Sequence, residues 1–220
     1  KRQFLFTTNT APYKYYRLVI VNATLGTLNH FGIAQIDFYS IPETSSPATI
    51  DDQYFNKGVI TGTIKVSNVV TYNEKSVLEM SAGAILSYPR NSGFERDSFT
   101  YEVKMILKSD ITGNIYPINS APTYSFTVGY NGTSKQFTLY LSSNGTTWNL
   151  SSLAVQYPLT VGEWYHLRLS FDGDVYILSV NDVELIKVQT TTKIIAPAAI
   201  QVGRSTGDAE IGYVYDIRYH

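Results

Sequence analysis

Residues 164–182 read WYHLRLSFDGDVYILSVND, and they alternate apolar with polar side chains on both sides of a central Asp-Gly pair. In the first half, every second residue from Tyr165 to Phe171 is apolar, so these side chains share one face of an extended chain. Asp172-Gly173 supplies the positive backbone angles that a tight hairpin turn needs. The segment therefore predicts a β-hairpin with one buried face.

The same period of two extends along the chain on either side of this hairpin. It recurs in four further runs: Phe99–Leu107, Tyr124–Tyr130, Phe137–Leu141 and Ile211–Tyr219. No window shows a helical stripe, and Asn131-Gly132 and Asn144-Gly145 add turn signals between runs. We therefore predict an all-β fold, a two-sheet antiparallel sandwich. A closed barrel fits less well because the strands are unevenly spaced.

Composition excludes several classes of protein. Of the 220 residues 44% are apolar and only 16% are charged, against about 25% in an average domain, which excludes a disordered chain. The chain has no cysteine, so disulfides, thiolate zinc sites and a cysteine nucleophile are excluded. The net charge of −1 with scattered basic residues argues against nucleic acid as a partner. The apolar runs are far shorter than the ~20 residues of a membrane span, so no membrane insertion is expected.

The chain divides by composition into three parts. Residues 42–53, within IPETSSPATIDDQ, contain two prolines and few apolar side chains and are predicted to be a linker. Residues 1–41 before it carry two predicted strands that form a short β-hairpin segment. This segment either ends a preceding domain or docks onto the sandwich, which is predicted to occupy residues 54–220.

The hairpin at 164–182 resembles the laminin G-like/concanavalin A-like family. Its members often carry a Trp-x-His strand, a glycine turn and a second strand ending in Asn-Gly, where this chain has Asn181-Asp182. Residues 75–89, 97–103, 203–204 and 212–219 are similar to further strands of that family. The resemblance covers residues 54–220 and implies a concanavalin A-like jelly-roll sandwich.

Residues 15–22 and 31–39 resemble the last two strands of a discoidin-type jelly roll. The two resemblances together, in a chain without cysteine and rich in Tyr and Thr, are similar to bacteriophage tail or virion-surface proteins. They imply a non-catalytic carbohydrate-binding adhesion module that lies on a virion surface or is otherwise extracellular. Its partners would be surface glycans of a bacterial host and other virion proteins. The alternative is a structural or decoration module that contacts other virion proteins and has no sugar site; self-association stays open in both cases.

Sugar binding needs exposed aromatic rings beside planar polar groups. Tyr140 falls on the polar face of its strand, and Trp148 follows the Asn144-Gly145 turn, although it could instead pack across its hairpin. Tyr88, Arg90 and Asn91 are predicted to share one loop. These five side chains are the predicted ligand-binding residues.

Neither catalysis nor a cofactor is expected. Glycoside hydrolysis needs two carboxylates across the sugar, and the Glu-x-Asp-x-x-Glu string of related sandwich glucanases does not occur in this chain. Calcium is the only metal considered, because its hard oxygen ligands occur on loops. Asp97, in a loop region where the family resemblance implies that calcium is sometimes bound, is its candidate ligand.

Overall fold

The computed structural model describes residues 49–50, 58–90, 97–121, 124–205 and 207–219. By compactness the chain divides into two units, Lys1–Glu43 and Thr44–His220, and all described residues belong to the second. The predicted N-terminal hairpin, its discoidin-like resemblance and Asn91 lie outside the described residues. The predicted domain boundaries stay predictions.

The described residues form strands and no helix, so the all-β prediction is confirmed. No helix among them is long and apolar enough to cross a membrane. In chain order the strands are β1 (Thr49–Ile50), β2 (Val59–Thr61), β3 (Ile64–Tyr72), β4 (Lys75–Met80), β5 (Ile85–Pro89), β6 (Phe99–Ile106), β7 (Asn114–Ala121), β8 (Phe126–Asn131), β9 (Gln136–Leu141), β10 (Ser151–Gln156), β11 (Trp164–Phe171), β12 (Val175–Val180), β13 (Val183–Gln189), β14 (Ala199–Val202) and β15 (Gly212–Tyr219).

The strands build two sheets that pack as a sandwich, as predicted. The eight-stranded sheet has the order β13-β12-β11-β6-β15-β4-β3, with β1 paired to β15. The seven-stranded sheet has the order β10-β9-β8-β7-β14-β5-β2. Every pairing is antiparallel except that of β1, which lies inside the predicted linker and runs parallel to Arg218–Tyr219.

The core lies between the sheets and consists of the inward side chains of the alternating runs. On β11, Leu167 and Leu169 are fully buried, and on β9 so are Phe137 and Leu139. The two sheets meet through aromatic contacts such as Phe99 on Phe126, whose ring centroids lie 5.9 Å apart. Tyr140 and the other alternate residues of β9 face outward, whereas the alternate residues of β8 are also buried.

The 164–182 hairpin forms as the sequence predicts. The Asp172 carboxylate accepts hydrogen bonds from the N–H groups of Asp174 (3.1 Å) and Val175 (2.9 Å), and these bonds lower the pKa of Asp172. At the end of the second strand, Asn181 and Asp182 both take positive φ values, 49° and 63°. Two successive positive φ angles are typical of a type I′ turn, which aspartate tolerates in place of the usual glycine.

Two local predictions are wrong. The alternation from Ile211 to Tyr219 does not hold along one face, because Asp216 takes a φ of 54° and the register of β15 shifts between Tyr215 and Arg218. A β-bulge there turns Ile217 and Tyr219 inward, whereas Tyr215 faces outward.

The second wrong prediction concerns the Asn131-Gly132 turn. In this turn Lys135 has the positive φ, 54°, and Gly132 does not. Gly132 is needed for a different reason: a Cβ atom there would overlap the backbone carbonyl of Ile111. The glycine permits a close approach of two backbones.

Candidate functional site

Three aromatic side chains form a cluster on the outer face of the seven-stranded sheet. The Trp148 ring lies against Tyr140, at a centroid distance of 5.3 Å and an interplanar angle of 40°. It also meets the edge of Tyr124 at 4.8 Å and 72°. Tyr140 and Trp148 are half-buried, and Tyr124 is 50% exposed. We call Tyr124, Tyr140 and Trp148 the Trp148 cluster; it packs together and still presents ring surface to solvent.

The loop between β9 and β10 holds Trp148 in place through its own side chains. Asn144 Oδ1 accepts hydrogen bonds from the N–H groups two and three residues further on, both at 3.0 Å. Asn149 Oδ1 accepts one from the N–H of Ser143, also at 3.0 Å. Gly145 takes a φ of 72°, as its predicted turn requires. Asn side chains that satisfy nearby N–H groups fix a loop locally, so Trp148 is presented by a preorganised loop.

The aromatic surface continues from Tyr140 toward Tyr116. Gly129 lies between the two rings: a Cβ atom there would sit 3.2 Å from the Tyr116 ring and 3.7 Å from the Tyr140 ring. The Arg204 guanidinium covers Tyr116, 4.3 Å from the ring centroid. Burial raises the pKa of Tyr116, and the charge of Arg204 acts against that rise. Because Arg204 and the neighbouring strands leave Tyr116 only 8% exposed, its ring offers little surface of its own.

Exposed neutral side chains flank the cluster on β9 and β10. Ser152 pairs in register with Tyr140, and Ala154 pairs with Thr138. Their small side chains leave the sheet surface next to Tyr140 open. A ligand that stacks on the cluster can therefore extend over β9 and β10.

Four side-chain amides cross the same face further along the strands. Asn114, Asn131, Gln136 and Gln156 are successive register partners on β7 to β10. We call them the amide row; by strand rise it lies about 13 Å from Tyr140 along β9. Asn131 Nδ2 donates to Asn114 Oδ1 at 2.9 Å. Gln136 and Gln156 make no side-chain hydrogen bond to another described residue, so their amides remain available.

A second set of polar side chains lies mostly beneath the surface beside Tyr140. Thr127 Oγ1 donates to Asn119 Oδ1 (2.7 Å), Asn119 Nδ2 donates to Gln201 Oε1 (3.0 Å), and Gln201 Nε2 donates to Ser87 Oγ (3.2 Å). Asn119 and Thr127 are buried. This chain of bonds ties β8, β7, β14 and β5 together and stabilises the sheet under the face.

Of the four predicted ligand-binding residues that the structure describes, it brings two together, Tyr140 and Trp148. Tyr88 lies on β5 with its ring in the core, 4% exposed, and not in a loop. The strand keeps its alternation up to Pro89, and this turns Tyr88 inward against Gly58. Arg90 is exposed, but it follows β5, which is four positions from β9 in the sheet, about 19 Å away.

The predicted calcium ligand has a different partner. Asp97 Oδ1 accepts a hydrogen bond from Lys193 Nζ, in an exposed ion pair. No group of three or more His, Cys, Asp or Glu side chains suited to a metal ion occurs among the described residues. A cationic partner at Asp97 is the opposite of what a calcium site provides.

Tyr124 was missed by reasoning from the sequence. Its position two residues before Phe126 placed it with the inward side chains of β8, but β8 begins at Phe126 and Tyr124 lies outside the strand. The amide row was also missed, because its members come from four separate strands. A signal was present in the sequence: Asn or Gln stands at one end of each of these four strands.

No protein-family model and no curated protein sequence matches the chain. Solved structures do match. Domain 4 of AbnA, a GH43 extracellular arabinanase from Geobacillus stearothermophilus in complex with arabinotriose, has a TM-score of 0.56 and 15% identity, over 75% of this chain and 82% of that one. The carbohydrate-binding module CBM66 from Bacillus subtilis has a TM-score of 0.50 and 13% identity, over 79% and 99%.

A structure of botulinum neurotoxin type C, whose cell entry depends on interaction with two ganglioside molecules, is also similar. Its TM-score is 0.50 at 11% identity, over 74% of this chain and 42% of that one. At these identities the comparisons show a shared fold. The chain has the β-sandwich fold of carbohydrate-binding modules and of toxin receptor-binding domains.

Proposed function

We propose that this protein is a non-catalytic carbohydrate-binding module and that the Trp148 cluster is the centre of its binding face. The observation that carries the proposal is the Trp148 ring itself, held by a preorganised loop and by Tyr140 while part of its surface stays open. Aromatic rings stack on the C–H faces of sugars, and side-chain amides and hydroxyls nearby bind the sugar hydroxyls.

The comparisons support this proposal through the proteins that share the fold. One neighbour is named as a carbohydrate-binding module, and another was solved with arabinotriose. The face itself also supports a non-catalytic role. Glycoside hydrolysis needs two carboxylates about 5–9.5 Å apart, and none of the strands that build this face carries Asp or Glu in the described structure.

The setting of the module is a further part of the proposal. Its resemblance to phage tail and virion-surface proteins favours a virion or extracellular location and glycans of a bacterial surface as ligands.

One observation favours the alternative, a structural module that contacts other proteins. The edge strands β2 and β3 expose apolar side chains, with Val59 53% and Val69 96% exposed. Exposed apolar groups on sheet edges are typical of protein contacts.

The chain's two tryptophans provide a matched test. Trp148→Ala removes the proposed stacking ring. Trp164→Ala removes a half-buried tryptophan from the outer face of the other sheet, where it meets Tyr72 at 5.1 Å. We expect Trp148→Ala to weaken binding to a glycan identified on an array at least tenfold, about 1.4 kcal/mol. Trp164→Ala should leave affinity within about twofold. Both changes should lower the free energy of unfolding by a similar ~1–3 kcal/mol, since each removes aromatic contacts.

Affinity is measured by titration calorimetry and stability by urea unfolding on the same samples. Tyr140→Ala should behave like Trp148→Ala, and Arg90→Ala should not change affinity because it lies four strands away. If Trp148→Ala and Trp164→Ala bind the glycan equally well, the face is wrongly assigned. If no glycan on the array binds the wild type, the sugar-binding function is refuted and the alternative takes its place.

A further inference from the structure

Charge is divided unequally between the two sheets. None of the seven strands β2, β5, β7, β8, β9, β10 and β14 contains an Asp, Glu, Lys, Arg or His residue within the described structure. The eight-stranded sheet, by contrast, carries charged or titratable side chains on six of its strands: Lys65, Lys75, Glu79, Glu102, Lys104, His166, Arg168, Glu184, Lys187, Asp216 and Arg218. The sheet that presents the Trp148 cluster is the neutral one.

Lys135 and Arg204, in loops next to the neutral sheet, already have partners, whereas the exposed Arg90, directly after β5, makes no side-chain hydrogen bond or ion pair with another described residue and lies four strands from β9. Lys135, in the turn between β8 and β9, pairs with Asp110 at 3.4 Å. Arg204, after β14, places its guanidinium over the Tyr116 ring. Neither is on a strand of the face.

We call the outer surface of the seven-stranded sheet around the Trp148 cluster the Trp148 face. We infer that the ligand of this face is an uncharged glycan, and that the face discriminates against glycans that carry carboxylate, sulfate or phosphate groups. This inference rests on the proposed function and narrows it to one class of sugar. Burying an anionic group against a surface costs free energy unless a cation or several donors pair with it, and the strands of this face offer no cation.

The polar groups of the face have the chemistry that neutral sugars require. A sugar hydroxyl both donates and accepts, and a side-chain amide does the same through its NH₂ and C=O groups. The free amides of Gln136 and Gln156 and the hydroxyls of Thr138 and Ser152 therefore match hydroxyl groups of either polarity. A carboxylate only accepts, so it can use only the N–H and O–H donors of these groups, and the amide oxygens contribute nothing to its binding.

The test compares glycans that differ in charge and little else. The panel contains neutral polysaccharides (arabinan, galactan, levan, mannan and mixed-linkage glucan) and acidic ones (polygalacturonate, alginate, hyaluronate and polysialic acid). Polygalacturonate is paired with its carboxyl-reduced form, which keeps the linkage and loses the charge. Binding is measured by affinity electrophoresis and calorimetry at 20 and 500 mM NaCl. The Debye length is longer than about 10 Å at the first concentration and shorter at the second, so only the second screens charge interactions strongly.

We expect at least one neutral glycan to bind and to lose at least tenfold in affinity in Trp148→Ala. Its affinity should change less than about twofold between the two salt concentrations, and acidic glycans should bind at least tenfold more weakly. The uncharged-ligand inference would be overturned by an acidic glycan that binds as tightly as the neutral one, is released by salt and no longer binds Trp148→Ala. That outcome would leave the sugar-binding function standing. Loss of that binding in Arg204→Ala would identify the cation responsible. If no glycan of either class binds, the proposed function fails, and the inference fails with it.

Discussion

Replacing Gly203 by alanine is expected to lower the free energy of unfolding by about 3–5 kcal/mol, the largest effect of any single change considered for this protein. Gly203 follows β14, takes a φ of 83°, and donates its N–H to the Tyr116 carbonyl at 2.9 Å. A Cβ atom there would overlap the carbonyl oxygen of Ala84 and lie 3.3 Å from the Ile85 Cα. The substitution therefore adds left-handed backbone strain to a backbone collision.

Two other glycines separate the effect of the backbone strain from the effect of the collision. Gly162 has almost the same φ, 84°, but a Cβ there would meet no atom of the described residues within 4 Å, so Gly162→Ala should cost only the strain, about 1–2 kcal/mol. Gly207 lacks both features, and Gly207→Ala should change stability by less than about 1 kcal/mol. Urea unfolding of the three variants measures the free energy that each substitution costs. Equal losses for Gly203→Ala and Gly162→Ala would show that the Ala84 segment moves aside without cost.

The second large effect is expected for Asp216→Asn, about 1.5–3 kcal/mol of lost stability at neutral pH. The buried Asp216 carboxylate accepts hydrogen bonds from Lys104 Nζ at 2.5 Å and from Arg218 Nε at 2.6 Å. Asparagine tolerates the φ of 54° at this position, so the substitution removes the charge and keeps the bulge. It leaves Lys104 half-buried without its anion. Asp110→Asn is the matched control: Asp110 pairs with Lys135 on the surface and should cost less than about 1 kcal/mol.

The loss caused by Asp216→Asn should depend on pH in a defined direction. Burial acts to raise the pKa of Asp216, but the hydrogen bonds from Lys104 and Arg218 outweigh it and hold the pKa below the usual value. A carboxyl group with a lowered folded-state pKa stabilises the fold above its unfolded pKa, and that stabilisation is lost as pH falls through the folded pKa. The difference between wild type and Asp216→Asn should be constant between about pH 5 and 9 and shrink below about pH 4. A difference that persists unchanged at pH 2.5 would show that the charge of Asp216 does not stabilise the fold.

The sequence predicts the strands that have one buried and one open face, because their alternation reports burial directly. β6, β9 and β11 are of this kind, and each was recognised in full. The alternation is misleading where a local interaction breaks it. In β15 the pairing of Asp216 with Lys104 and Arg218 coincides with a bulge, and no periodicity in the sequence marks that position.

The site was predictable only where a single strand decides the direction of a side chain. The alternation of side chains along β9 is enough to predict that Tyr140 faces outward, and the structure places it there. Tyr124 and Trp148 meet because a loop folds over the end of the sheet, and the amide row depends on the register of four strands. Register is set by contacts between residues distant in the chain, which a pattern within one segment does not contain.

The division of charge between the sheets separates the residues that stabilise the fold from the face that we propose as the binding site. The open positions of the Trp148 face, namely Gln136, Thr138, Ser152 and Gln156, contact no ion pair of the described structure and contribute nothing to the core. Changes at these positions are therefore expected to leave the stability of the scaffold nearly unchanged, whereas Gly203→Ala and Asp216→Asn are expected to lower it. A library restricted to those four positions would vary the proposed binding face on a constant scaffold.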